Sequence, residues 1–330
     1  MGASKIIENI FTGDNFSFET VALQEFHYQY NHNPVYHQFV QLNKVRPGDV
    51  QTIADIPFLP VEFFKTRRVL SGNGEIQQIF ESSGTTGQQT SKHYVADTDL
   101  YRKSFRKGFE LFYGEPSEWN ILALLPSYLE REHSSLVFMV NDLIQLSGSA
   151  LSGFYLDEWN ALSENLQKAR NSSKKTMLIG VTFALLDLAE KFPQDLSHCI
   201  IMETGGMKGR KEELLREEVH TILKNAFRVN EIHSEYGMTE LLSQAYSKGN
   251  GIFQTPPWMK ILRREINDAK AIFTSEGRGI VNVIDLANIY SCSFIATQDM
   301  VYLHGDGSFE ILGRSDNSDL RGCNLMVSSY

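Results

Sequence analysis

The chain has 330 residues, 42% hydrophobic and 22% charged, with a formal net charge of −9. That balance suits a globular protein with a large core, in one big domain or two closely associated ones. The acidic excess argues against a general nucleic-acid binder, which needs clustered Lys and Arg to neutralise phosphate, and no stretch approaches the ~20 apolar residues that span a bilayer. Met1 to Phe11 mixes Lys5 and Glu8 into its apolar positions and lacks the hydrophobic centre of a signal peptide, so a cytoplasmic protein without a membrane span is expected. Cys199, Cys292 and Cys323 are three cysteines without a close pair, which fits neither a disulfide framework nor a zinc knuckle.

Taken in chain order, residues 1 to 75 read as a mainly helical N-terminal region, interrupted by Pro57–Pro60, and carry no usable motif. A strand and a Gly/Ser/Thr loop follow at Gln77–Lys92. Arg102, Lys103, Arg106 and Lys107 form a basic patch at helical spacing, read as a solvated face. Ile121–Leu125 is a strand, Leu136–Leu146 a helix, Met177–Val181 a strand, Phe183–Lys191 a helix and Cys199–Met202 a strand. Lys211–Phe227 reads as an amphipathic helix with Leu214, Leu215, Val219, Ile222 and Leu223 on its apolar side. This alternation predicts an α/β layered core over residues 76–250. From residue 251 to 330 the texture is that of a smaller β-rich subdomain with a C-terminal tail, its short runs at Gly279–Asp285, Ser293–Ala296, Met300–Leu303 and Phe309–Leu312.

The densest motif is Ser82-Ser83-Gly84-Thr85-Thr86-Gly87, closed by Lys92. Glycines allow close backbone approach, hydroxyls and N–H groups donate to phosphate oxygens, and a nearby lysine supplies a point charge. The Walker pattern requires Gly-Lys-Ser/Thr in succession, so an ordinary P-loop is disfavoured. In isolation the loop reads equally well as a surface turn. Further along stand Thr204-Gly205-Gly206 after a strand, Tyr236-Gly237-Met238-Thr239-Glu240, Ala296-Thr297-Gln298-Asp299, and Asp306 to Arg314.

The Ser82–Lys92 loop and these later segments, in this order, resemble the adenylate-forming superfamily of acyl-CoA synthetases, luciferases and peptide-synthetase adenylation domains. The resemblance implies a layered large domain of parallel or mixed sheets with flanking helices, and ATP and Mg²⁺ as cofactors. It places Gly205 and Gly206 against adenine, Tyr236 stacked on it with Gly237 and Met238 alongside, and Thr239 at the α-phosphate. Glu240 would help hold Mg²⁺, and Asp299 and Arg314 would hold the ribose. Adenylation brings a carboxylate onto the α-phosphorus, anion against anion, so catalysis rests on positioning and neutralisation. Typical members continue for about a hundred residues past the Gly313-Arg314-Ser315-Asp316 hinge into a mobile domain whose lysine assists adenylation; that domain and lysine are expected to be missing here.

The tail instead holds Leu320-Arg321-Gly322-Cys323. It resembles the LuxE-type acyl-protein synthetases of bacterial fatty-acid reductase systems, which implies a fatty-acid substrate, capture of the acyl group by Cys323, and delivery to an acyl-CoA-reductase-like or acyltransferase partner. Chemically, an acyl-AMP is a mixed anhydride open to a thiolate, and seven residues from Asp316 to Cys323 reach ~23 Å. As a buried small hydrophobe, Cys323 would be inert. Cys199 and Cys292 read as structural. Between Pro126 and Ser135, His133 and Ser134 are candidates to orient the carboxylate, Ser134 equally a helix cap, and Val137–Val140 either lines an acyl pocket or packs the core. Two other readings stand beside this one: a compact acyl- or aryl-CoA ligase like the phenylacetate ligases, and a non-catalytic subunit that binds ATP or acyl-adenylate.

Overall fold

The computed structural model describes residues 3–11, 17–82, 89–125, 133–156, 158–205 and 214–315. In chain order its elements are α1 (Ala3–Ile10), α2 (Phe18–His32), α3 (Pro34–Leu42), β1 (Leu59–Pro60), α4 (Phe63–Thr66), β2 (Gln78–Glu81), β3 (Lys92–Val95), α5 (Thr98–Tyr113) and β4 (Trp119–Leu124). Then come α6 (Ser135–Ser147), β5 (Gly153–Phe154), α7 (Trp159–Ala169), β6 (Lys175–Val181), α8 (Thr182–Lys191), β7 (Cys199–Thr204), α9 (Arg216–Phe227) and β8 (His233–Tyr236). The last part is strand apart from a 3-10 turn at Leu286–Asn288: β9 (Ala245–Ser247), β10 (Ile252–Gln254), β11 (Met259–Arg264), β12 (Ile272–Phe273), β13 (Gly277–Asp285), β14 (Phe294–Leu303) and β15 (Phe309–Arg314).

Local chemistry sets the ends of these elements. Asp97 caps α5 by accepting from Leu100 N at 2.9 Å, and Gly114, at φ 84°, ends it. Pro34 opens α3 behind the Asn33 cap. The apolar runs of β4, β6 and β7 are buried on both faces, as parallel strands covered by helices must be.

Among the described residues thirteen strands form one mixed sheet in the order β12-β11-β13-β14-β15-β10-β9-β8-β7-β6-β4-β5, with β1 paired to β14; β2 and β3 make a separate hairpin. Strands β5, β4, β6, β7 and β8 run parallel, and from β8 to β9 the pairing turns antiparallel. Chain order 4-5-6-7-8 against the spatial order 5-4-6-7-8 makes β4 the point where connections leave in opposite directions. In open α/β sheets ligands bind beyond the carboxyl ends of strands at such a point. The segments following β4, β7 and β8 therefore define where a site belongs.

Three expectations are corrected. The basic patch lies on α5, and two of its members are paired as well as partly exposed: Arg106 donates from Nε and Nη2 to the buried Asp142 of α6 at 2.6 and 2.7 Å, and Arg102 stands 3.5 Å from the same carboxylate. The third, Lys103, has its ammonium 4.8 Å from the centre of the Phe11 ring. On α9 the buried stripe is Val219, His220, Leu223 and Phe227, whereas Leu215 and Ile222 are exposed, because His220 turns inward to a buried carboxylate. The runs expected at Ser293–Ala296 and Met300–Leu303 fall, from Phe294 on, in one ten-residue strand, β14, whose polar centre is Thr297-Gln298-Asp299.

Candidate functional site

Thr204 and Gly205 stand at the carboxyl end of β7, where Gly205 takes the left-handed φ of 67° that suits glycine. The Thr182 hydroxyl, at the start of α8, donates to the Gly205 carbonyl at 2.9 Å. One residue earlier, buried Glu203 accepts from Ser234 Oγ and faces His220 Nε2, both at 3.0 Å, with Arg216 at 3.7 Å. Burial pushes the Glu203 carboxyl up, but these partners outweigh it and hold the pKa below its ordinary value. The Glu203 cluster clamps α9 onto β7, so the turn after β7 leaves the sheet from a fixed point.

Tyr236 ends β8, and its ring packs edge-on against Phe253 and Phe309. Its hydroxyl donates to Asp299 Oδ2 at 2.8 Å, and Arg314 Nε lies 3.8 Å from Asp299 Oδ1. Pairing of β14 with β15 sets Asp299 opposite Arg314. Arg314 also reaches Gln298 Oε1 at 3.3 Å. Tyr236 thus forms one polar cluster beside the end of β8 with Asp299, 63 positions away, and with Arg314.

Before Tyr236 lies Glu235, whose carboxylate accepts from the Thr204 hydroxyl and whose pKa burial raises to about 7. The sequence reading passed over this residue. A Cβ on Gly237 would collide with the same carboxylate, so a larger residue there would displace the Glu235 side chain. Met238 packs against the core.

The Thr239–Glu240 turn is held from below. Asp285, fully buried at the end of β13, accepts from Leu242 N, Ser243 N, Ser243 Oγ and Ala287 N at 2.8, 3.0, 2.5 and 3.2 Å. Burial nevertheless raises its pKa to about 6. Thr239 O meets His93 Nδ1 at 2.8 Å, and Glu240 O accepts from Asn288 Nδ2 at 2.7 Å. Sequence reasoning missed Asp285, His93 and Asn288 as well.

At the hairpin, Ser82 and Ser91 close the loop: Ser82 N donates to Ser91 O at 3.0 Å and Ser91 N to Ser82 Oγ at 2.9 Å. Lys92 pairs across the hairpin with Glu81 at 3.2 Å, its side chain half exposed. Glu81 N donates to His133 O at 2.8 Å, which brings the end of the segment after β4 against the base of the loop. His133 is exposed, and the Ser134 hydroxyl caps α6 by accepting from Val137 N at 3.3 Å. Ser83, Gly84, Thr85, Thr86, Gly87, Gly206 and Cys323 lie outside the described residues.

Met139 and Val140, with Phe109, Ile121, Met202 and Tyr246, line a small apolar cavity between the sheet and helices α5 and α6. An acyl chain would enter only if that cavity widened. Cys199 and Cys292 are buried, with thiols pushed up to about 12 by burial, so neither is a ready nucleophile. Among the described residues no helix is long and apolar enough to cross a membrane.

Solved structures of other proteins share this fold. 2-Hydroxyisobutyryl-CoA ligase, in complex with R3-HIB-AMP, superposes with a TM-score of 0.65 at 11% identity, over 91% of this chain and 68% of that one. ATP-bound MatB from Rhodopseudomonas palustris gives 0.58 at 15% identity over 74% and 49%, and the luciferase-like enzyme of the mealworm Zophobas morio 0.52 at 16% over 75% and 60%. Within that fold the sequence resembles the LuxE-type acyl-protein synthetases. Residues 13–103 match the family model "Acyl-protein synthetase, LuxE". The long-chain-fatty-acid–luciferin-component ligase of Photorhabdus luminescens is 38% identical over 68 residues, 20% of this chain and 58% of that relative. The family match includes most of the N-terminal helical region, where the sequence reading found no motif.

Proposed function

We propose that this chain is an ATP-dependent acyl-protein synthetase that activates a fatty acid as its acyl-AMP and then carries the acyl group on Cys323. The observation that carries the reading is the Tyr236–Asp299–Arg314 cluster beside the carboxyl ends of β7 and β8, next to the Thr239–Glu240 turn that His93 links to the strand returning from the Ser82–Lys92 hairpin. In this reading Asp299 and Arg314 hold the ribose hydroxyls, and Tyr236 and the Gly205-Gly206 turn flank the adenine. The hairpin loop and Lys92 grip the polyphosphate, and Thr239 donates to the α-phosphate.

The described residues contain no group of three or more His, Cys, Asp or Glu side chains able to hold a metal ion by themselves. Mg²⁺ on a polyphosphate needs only one or two carboxylates beside phosphate and water oxygens, and we assign Glu240 to it. When bound, Mg²⁺ neutralises phosphate charge.

The first step forms a bond between a carboxylate oxygen and the α-phosphorus and breaks the α–β bridge, releasing pyrophosphate. In the second, the Cys323 thiolate attacks the acyl carbonyl and expels AMP, leaving a thioester. The thioester is passed to a protein of the reductase or acyltransferase type.

The test is labelling. The full chain, incubated with ATP, Mg²⁺ and radiolabelled long-chain fatty acid and then denatured, should keep a hydroxylamine-labile label that Cys323→Ser abolishes. Free acyl-CoA on addition of coenzyme A, with no label on protein, would replace this reading with the compact CoA ligase. Bound nucleotide with neither product would indicate a regulatory subunit.

A further inference from the structure

A buried relay joins the N-terminal helix to the turn that carries Thr239 and Glu240. On α2 the polar residues Glu25 and Gln29 lie one turn apart, and Asn33 follows a turn later at the helix cap; all three are buried. Gln29 Nε2 donates to Asn288 O, Ile289 O and Ser293 Oγ at 3.2, 2.9 and 3.1 Å, and Ser293 Oγ donates to Glu25 Oε2 at 2.6 Å. Asn33 Nδ2 donates to Ser291 O at 2.8 Å. The segment from 288 to 293 is therefore fastened to α2 almost residue by residue.

Asn288 faces the other way with its side chain. Its Nδ2 donates to Glu240 O at 2.7 Å and to Cys292 O at 3.0 Å, which fixes Oδ1 as the atom 3.1 Å from His93 Nε2. The other imidazole nitrogen, Nδ1, lies 2.8 Å from Thr239 O. Both ring nitrogens of this fully buried histidine face oxygen. A neutral imidazole has one N–H, so it satisfies only one of them. Burial keeps the ring neutral by pushing its pKa down to about 4. The shorter contact assigns the proton to Nδ1, donating to Thr239 O.

We propose that His93 and Asn288 are positioning residues that fix the Thr239 and Glu240 peptide planes against the strand returning from the Ser82–Lys92 loop. The inference rests on the functional reading above, in which those two side chains meet the α-phosphate and Mg²⁺. Gripping the two carbonyls sets the directions of the two Cα–Cβ bonds, and His93, next to Lys92 on β3, ties that geometry to the loop. A misplacement of about 1 Å at such a turn costs on the order of 10²-fold in rate.

Two near-isosteric variants cut the bridge at different bonds. The amide nitrogen of Asn in His93→Asn takes the place of Nδ1 and keeps the bond to Thr239 O. That of Gln in His93→Gln takes the place of Nε2, faces Asn288 Oδ1 and loses Thr239 O. In acid-dependent ATP–pyrophosphate exchange, His93→Asn should stay within about 3-fold of wild type. His93→Gln should lose about 30-fold or more in kcat with KM for ATP little changed, even at equal thermal stability. A structural role alone would make both variants follow their melting temperatures, and equal kcat in the two would overturn the proposal. A second readout needs no activity: ¹⁵N NMR of histidine-labelled wild-type protein, with the His93 signal identified by its absence from either folded variant, should show the Nδ1–H tautomer. An Nε2–H tautomer overturns the inference. Absence of exchange with every acid in the wild type, alongside the Nδ1–H tautomer, would refute the functional reading and leave the bridge standing.

Discussion

Replacing Asp285 with Asn removes a charge from beneath the Thr239–Glu240 turn while keeping the shape of the side chain. The wild-type carboxyl is fully buried, and its pKa rises from 3.8 to about 6 despite four accepted hydrogen bonds. Because the folded-state value is raised, the folded protein binds the proton more tightly than the unfolded chain between these two values. Stability from this group is thus fully present below pH 3.8 and lost as pH rises through about 6. Two-state proton linkage over that interval gives a loss of about 2 kcal/mol between roughly pH 4.5 and 7.5. Asn does not titrate. The unfolding free energy of Asp285→Asn relative to wild type should therefore shift by about 2 kcal/mol in favour of the variant across that range, measured by urea unfolding at a series of pH values. Other titrating groups, such as Glu235 and Glu203, are common to both proteins and largely cancel in the difference. Parallel pH profiles for the two proteins would refute the reasoning.

Tyr236→Phe deletes one hydrogen bond to the Asp299 carboxylate, 2.8 Å long in the wild type. A bond to a charged acceptor contributes about 1.5 kcal/mol, so KM for ATP should rise about 10-fold with kcat within about 3-fold. A fall confined to kcat would contradict the ribose-side placement. Asp142→Ala removes the buried partner of Arg106, which is itself 37% exposed along its side chain. Discounting for that exposure, the cost should be about 1–2 kcal/mol in urea unfolding, and no cost would show that α5 and α6 are held by apolar packing alone.

The parallel strands were legible because strands covered on both faces are written as unbroken apolar runs, as in Ile121–Leu125 and Met177–Val181. Helix α6 was legible for a similar reason, framed by the Ser134 cap and by Gly148 in the left-handed region. Strand β14 was read as two pieces because its centre is polar: Gln298 and Asp299 sit mid-strand where they meet Arg314 and Tyr236. Helix α5 was hidden in part by its basic residues, whose partner Asp142 is 36 positions away from Arg106.

Of the site, the glycine-rich and Tyr-Gly segments could be recognised as short local patterns. Asp285, Asn288 and His93 could not, because each acts on partners 42 to 195 positions distant, a separation with no local signature. One signal was available. Glu25 and Gln29 occupy positions on α2 that the spacing of Val21, Ala22 and Phe26 reserves for buried apolar residues. Polar residues on the inner face of a helix imply buried partners, and those partners proved to be the segment beneath Glu240.

The central claim is that the ends of β7 and β8, the β14–β15 pair and the Ser82–Lys92 hairpin make one site that activates a carboxylate with ATP. Acid-dependent exchange of labelled pyrophosphate into ATP tests it most directly, run on the full chain with a panel of fatty and aromatic acids. Exchange with a long-chain fatty acid, lost in Asp299→Ala while that variant stays folded, is the expected result. Exchange with no acid at all, or exchange untouched by Asp299→Ala, would contradict it.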